Sequence, residues 1–259
     1  YDALDLTVRP KGHVLPERVT GDLPIAAEAI RKAGLELPMI TSHIVDAKTP
    51  HAEDVLKAMV SVGVKRYRWG GFRYDLARSI PAQLAEFKPR VKDLAAMNKQ
   101  YGVCAMYHTH SGPREVGASF WDLYMLLDGN DRNAVAANFD IGHATVEGGH
   151  GGWMHSANLL LPHARGVAFK DFRWVQDKTG NWVPGWCPMG DGMVNFRQFL
   201  PMLKASGFAG PLQLHMEYHE LGAAAEGGTT SSVPRDKLLP MMRQDVVRFR
   251  ALLSAAGLG

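Results

Sequence analysis

"VAANFDIGH", residues 135 to 143, begins as a buried strand and breaks within a few residues into Asp140, Gly142 and His143. The same pattern recurs along the chain. "VCAMYHTH" (103–110) is an interior strand that runs into His108 and His110. "GVAFKDF" (166–172) ends on Lys170 and Asp171, and "PLQLHMEY" (211–218) on His215 and Glu217. Three further strand-like runs precede these: "YDALDLTV" (1–8), "LPMITSHI" (37–44) and "VKRYRWGG" (64–71). Amphipathic helices such as "DLPIAAEAIRKAG" and "HAEDVLKAMVSVG" separate them, and strict β-then-α alternation predicts a parallel sheet with crossover helices.

Polar residues fall at or just past the C-terminal ends of these strands, Arg9 and His43 included. That is the catalytic rim of an α/β barrel. A doubly wound sheet would also bind at strand ends, but no glycine-rich dinucleotide turn follows the first strand. The expected fold is therefore α/β, a (β/α)8 TIM barrel with seven βα units visible and the first strand–helix pair expected before Tyr1. A single domain over residues 1–259 is expected, close to the ~250 residues such a barrel takes.

Composition narrows the classes. Lys plus Arg number 29 against 26 Asp plus Glu, and no basic run is interleaved with aromatics, which speaks against a nucleic-acid partner. No stretch approaches the ~20 apolar residues of a membrane span. The two cysteines, Cys104 and Cys187, do not indicate a disulfide framework. The chain opens on a strand pattern with no signal peptide, and because an exported precursor would have lost one, the compartment stays open between cytoplasmic and exported.

Side chains two apart on a strand share a face, so His108 pairs with His110, Ala168 with Lys170, and His215 with Glu217. Turned to the barrel axis, they present imidazoles, an amine and carboxylates to one mouth, with Asp140 and His143 from a fourth strand. Such a cluster suits a divalent metal, Mn, Zn, Co or Mg. Taken singly, each residue has a plainer reading: a hydrogen-bonded buried histidine, an Asp140 that caps the following turn, a local Lys170–Asp171 ion pair. Their convergence on one rim favours function. "VEGGHGGW" (146–153) reads as a glycine-rich loop, either a closing segment or a simple turn. Trp174, Trp182 and Trp186 flank "DKTGN", a hairpin tip, so residues of about 173–192 form a tryptophan-rich β-hairpin excursion. It reads either as a sugar-stacking wall, with Trp174 and Trp186 contacting substrate beside Arg9 and His43, or as a packed satellite cluster.

With these residues in view, the chain resembles the xylose-isomerase-like barrels, the sugar isomerase, epimerase and endonuclease IV-like superfamily. "FDIGHA" looks like that family's Asp-x-Gly-His strand end and "VAFKD" like its His-x-Lys-Asp strand. "PMGDGMVNF" matches its Pro-x-Gly-x-Gly-x-Val-x-Phe loop, and "GPLQLHMEY" its last barrel strand. The resemblance also extends to a poorly characterised bacterial branch described as sugar phosphate isomerase/epimerase. It implies one divalent metal held by Glu, Asp, His and Glu. Carried over, Asp140 fits the Asp, His108 stands at the first Glu, Ala168 at the usual His ligand, and His215 or Glu217 at the last Glu. The implied metal set is His108, Asp140, His215 and Glu217.

The implied chemistry is proton abstraction α to a carbonyl of a sugar or keto-sugar. Glu217 would be the base, His110 (or His108) the partner across the sugar plane, Lys170 the stabiliser of the enolate oxygen, and His143 the group that orients a hydroxyl. Isomerisation, epimerisation and elimination from a 3-keto-glycoside all stay open, as does a non-catalytic sugar-binding barrel, since Ala168 removes a ligand. An endonuclease-type zinc cluster would need more His and Glu ligands than the strand ends supply. A small-molecule sugar is the expected partner, with no nucleic acid and no membrane, and a homo-oligomer is compatible with the sequence.

Overall fold

The computed structural model describes residues 1–218, 220–221 and 230–258. The chain runs β1 (Ala3–Val8), α1 (Val19–Lys32), β2 (Glu36–Ser42), α2 (Ala52–Ser61), β3 (Arg66–Trp69), α3 (Ile80–Tyr101) and β4 (Cys104–His108). It continues through α4 (Trp121–Leu127), β5 (Val135–Asp140), α5 (Ile141–Gly148), α6 (Gly152–Leu160), β6 (Ala164–Phe169), β7 (Asp171–Gln176) and β8 (Trp182–Cys187). It ends with α7 (Phe196–Ala205), β9 (Leu212–Leu214) and α8 (Arg235–Ala255).

Seven strands pair in parallel in the order β1-β2-β3-β4-β5-β6-β9, while β7 and β8 make a separate antiparallel ribbon. This is the barrel expected from the alternation, and its strand number matches the seven visible runs. Among the described residues no strand joins β1 to β9, so the barrel carries an open seam between them. The last strand is shorter than its sequence pattern predicts, three residues rather than eight. It has a ladder partner, β6, on one side alone, and His215 N extends that ladder by one bond to Phe169 O at 2.9 Å.

Two apolar layers hold these elements. The large one lies between sheet and helices and buries Val8, Ile40, Tyr67, Tyr107, Phe139 and Phe169. The small one fills the barrel interior with Met39, Cys104, Met106 and Ala136. Above that plug the interior-facing positions become polar, which places the chemistry at the C-terminal mouth. Both cysteines are free and buried. No helix among the described residues is long and apolar enough to cross a membrane.

The structure resolves two expectations for the loops. Of the two readings of "VEGGHGGW" it has the simple turn, because α5 starts directly after β5 and α6 begins at Gly152, leaving Gly149–Gly151 as the connection. The cause is Asp140, whose Oδ1 accepts from His143 N at 3.0 Å and caps α5 at its first turn. Lys170 and Asp171 do not form a local ion pair. Adjacent extended residues face opposite ways, and Asp171 turns into the "PMGDGMVNF" loop. Its carboxylate accepts backbone N–H groups of Phe172, Gly190, Gly192 and Val194 at 2.9–3.0 Å. The expected hairpin forms as β7 and β8, its tip closed by Asp177 accepting from the Thr179 and Asn181 amides.

The wrapped loop generates a stability prediction. A Cβ on Gly192 would lie inside the Asp171 carboxylate and against Phe172 O, both tied into the loop. Gly192→Ala should therefore cost about 1–3 kcal/mol by overpacking. Gly21→Ala, exposed in α1 with nothing near its Cβ, should add about 0.5–1 kcal/mol. Urea midpoints check both, and an unchanged midpoint for Gly192→Ala would refute the wrapped loop.

Candidate active site

Four strand ends meet in the mouth. His108 closes β4, Asp140 closes β5, Lys170 sits at the joint between β6 and β7, and His215 follows β9. The register is staggered by two residues at each step, with His108 opposite Asn138, Asp140 opposite Ala168 and Ala168 opposite Gln213. The fully buried Asp140 offers its Oδ2 to three nitrogens: His108 Nε2 at 3.5 Å, Lys170 Nζ at 3.6 Å and His215 Nδ1 at 3.8 Å. Asp140 Oδ2, His108 Nε2 and His215 Nδ1 are buried without a hydrogen-bond partner. Buried polar atoms left unpaired are uncommon, and three aimed at one point mark a binding position.

Around this centre stand groups that reach the solvent side. Glu217, 32% exposed at its side chain, takes a hydrogen bond on Oε2 from Lys170 Nζ at 2.7 Å. Its Oε1 lies 3.6 Å from His215 Nδ1. The Lys170 ammonium also sits 4.3 Å over the Trp186 ring, which in turn packs edge-on to His143 at 4.8 Å. His110 lies 4.5 Å from His108, ring to ring, as their shared strand face predicts. Its Nε2 accepts from Arg68 at 2.9 Å, so in a neutral ring Nδ1 holds the proton.

His143 is fixed in the opposite sense. The backbone N–H of Ser111 donates to its Nδ1 at 3.0 Å, which puts the proton on a buried, unpartnered Nε2. A second histidine trio, His108, His110 and His143, is also close enough for a metal. A backbone donor fixes the proton on His143 Nε2 and disfavours that trio, whereas His108 Nδ1 faces a side-chain amide that can turn, which leaves His108, Asp140 and His215 as the better donor set.

Burial sets the ionisation states. It is the first cause that pushes Asp140 up to about 6, against the pull of Lys170 and the His143 amide. Burial, reinforced by Arg68 and Lys170, holds the His108, His143 and His215 rings well below the usual imidazole range and takes His110 down to about 3. All four rings are thus neutral at pH 7, the form a metal ligand requires and one that donates from a single ring N–H.

Not every expected substrate contact reaches the mouth. The cavity, about 2000 Å³, is lined by Arg9, His110, His143, Trp186, His215 and Glu217 among others. His43 and Trp174 stand outside it. The His43 ring bonds to Pro50 O at 3.0 Å, drawn away by the loop before α2. Trp174 shares the hairpin face of Phe172 and Trp186, packs edge-on to Phe172 two residues farther out, and is 42% exposed. Reading the sequence missed Arg68, Ser111, Asn138 and Gln213. Asn138 and Gln213 carried a signal, polar residues inside apolar strands two positions before Asp140 and His215. Ser111 carried none, because its contact crosses from one strand end to another.

The family model described as "Xylose isomerase-like TIM barrel" matches residues 3–255. No curated protein matches the chain. Among solved structures it is similar to a xylose isomerase-like TIM barrel protein from Mycobacterium smegmatis in complex with magnesium, at 17% identity and TM-score 0.68, covering 100% of this chain and 85% of that one. It is also similar to 3-keto-D-glucoside 4-epimerase from E. coli (12%, TM-score 0.66, covering 97% and 89%). D-allulose 3-epimerase from Methylomonas sp. in complex with D-allulose matches at 13%, TM-score 0.66, covering 96% and 86%. At these identities the likeness is one of fold.

The raised Asp140 pKa has a sign that can be measured. Between the usual carboxylate value of about 4 and about 6, the folded chain keeps a proton that the unfolded chain has released. Wild-type stability therefore falls through that window as pH rises. Asp140→Asn carries no such proton, so with chelator present its stability relative to wild type should climb from pH ~4 to ~6 and then level. Denaturant titrations across pH check this, and a flat difference would remove the assignment.

Proposed function

Because this chain belongs to the xylose-isomerase-like TIM-barrel family, we propose that it is an isomerase- or epimerase-type enzyme that takes a proton from the carbon beside a carbonyl of a sugar or keto-sugar. The observation that carries the reading is the set of three buried, unpartnered atoms, His108 Nε2, Asp140 Oδ2 and His215 Nδ1, with the accessible Glu217–Lys170 pair beside it. Their separations of 3.5 and 3.8 Å fit the ~3.4 Å edge of a tetrahedron with ~2.1 Å bonds. A divalent cation fits these donors, with Glu217 Oε1 at the edge of the set. What such a cation supplies when bound is Lewis-acid stabilisation of the charge on an enediolate.

The chain's own groups then divide the work. Glu217 is the carboxylate of the cluster that lines the cavity, and it accepts the proton. Lys170, held between Asp140, Glu217 and Trp186, is placed to stabilise the developing oxyanion. His110 suits a donor better than a returning acid, since a ring with its pKa near 3 is not an imidazolium at working pH. It presents Nδ1–H, as His143 presents Nε2–H, to substrate oxygens. The sugar epimerases among the fold relatives support the substrate class, and the magnesium complex supports the metal.

Incubation with keto-sugars in deuterium oxide tests this reading. Wild type should wash deuterium into the carbon beside the carbonyl, and Glu217→Gln should lower that rate by at least about a hundredfold while keeping its fold and metal content. His108→Ala and Asp140→Asn should lose metal by elemental analysis. Sugar binding without any exchange would convert the reading to a sugar-binding barrel.

A further inference from the structure

Directly beneath the three unpartnered atoms lies a pair of amides. Asn138, fully buried, and Gln213, 9% exposed, bond to each other through both ends: Asn138 Nδ2 to Gln213 Oε1 at 3.1 Å and Gln213 Nε2 to Asn138 Oδ1 at 3.0 Å. The second hydrogen of Asn138 Nδ2 points to His108 Nδ1 at 3.2 Å. The pair rests on the apolar plug of Met39, Cys104, Met106 and Ala136. Across from Asn138 in the β5–β6 register is Gly166, where a Cβ would come within 2.7 Å of Asn138 Oδ1 and 3.2 Å of Gln213 Nε2. A glycine there leaves the room the amides occupy.

We propose that Asn138 and Gln213 are positioning residues that act as a two-state switch, deciding which nitrogen of His108 carries its proton and so whether that ring can hold a cation. In the arrangement described, Asn138 donates to Nδ1, the ring proton sits on Nε2, and Nε2 has no lone pair for a metal. A half-turn of both amides exchanges oxygen for nitrogen at each. Both bonds between the amides survive, because among the described residues neither amide makes another side-chain bond that would fix its sense. Asn138 then offers Oδ1, accepts Nδ1–H, and the Nε2 lone pair faces Asp140 and His215. One proton leaves Nε2 for solvent and one arrives at Nδ1, so the ring stays neutral. His143 has no such freedom, since its Nδ1 faces a backbone N–H that cannot turn.

This rests on His108 being a ligand, and the test separates the two. The ring nitrogens of His108 would be read by 15N NMR in chelated and zinc-loaded protein, with zinc affinity measured by competition against a chromophoric chelator. Chelated wild type should carry Nε2–H and zinc-loaded wild type Nδ1–H. Asn138→Asp, which can only accept at that position, should carry Nδ1–H without zinc and bind zinc at least as tightly. Asn138→Leu should bind zinc about ten- to a hundredfold more weakly, with Asn138→Asp as the folding control. The same tautomer with and without zinc, or undiminished zinc affinity in Asn138→Leu, would overturn the switch. Unchanged zinc affinity in His108→Ala would instead reject the metal reading, while the Asn138→Asp tautomer in chelated protein still decides whether the amides control the ring.

Discussion

The mouth of this barrel is organised by a carboxylate that is used twice. Asp140 gives one oxygen to the first turn of α5 and leaves the other bare in a fully buried position. The cap fixes the side chain's rotation, so the bare oxygen cannot turn to relieve itself. His108, His215 and Lys170 gather around it because an ionised carboxylate in that setting needs partners, and Lys170 supplies the charge. Without the capped geometry, neither the common focus of the ring nitrogens nor the position of the Lys170–Glu217 pair would be defined.

The donor chemistry follows from what the strands lack. The family resemblance places a histidine at Ala168, and this alanine is fully buried between Asp140 and Gln213 in the ladder. An imidazole at 108 stands where that resemblance places a carboxylate, and its last carboxylate falls on His215 or Glu217. The exchange lowers the negative charge of the set, which otherwise would have to be neutralised in a dry interior. On the proposed metal reading, a donor set of two imidazoles and one carboxylate suits zinc or cobalt better than magnesium. Burial keeps every ring uncharged, and nearby cations reinforce it, Arg68 first at His108 and His110 and Lys170 first at His143 and His215.

Much of this was legible in the chain. The parallel barrel followed from apolar runs that each end on a polar pair, and the shared faces of His108 with His110 placed both rings correctly in the mouth. What could not be read was contact between strands. The ring proton of His143 is set by the Ser111 amide, and that of His110 by Arg68, a half-buried residue of β3 that looked like one of several scattered cations. His43 and Trp174 sit at a strand end and on the hairpin as expected but do not line the cavity, His43 because its ring bonds to Pro50 O and Trp174 because it lies two residues beyond Phe172 along the ribbon.

The open seam between β1 and β9 runs into the same cavity as the imidazoles. Leu4 and Leu212, one from each edge strand, line it together with His110 and Glu217. Part of the pocket wall there belongs to α8, whose Met242, Val246 and Phe249 line the same cavity. Ligand selectivity and sheet closure become a single variable here, and a change in β1, far from any ring nitrogen, can alter what the mouth accepts.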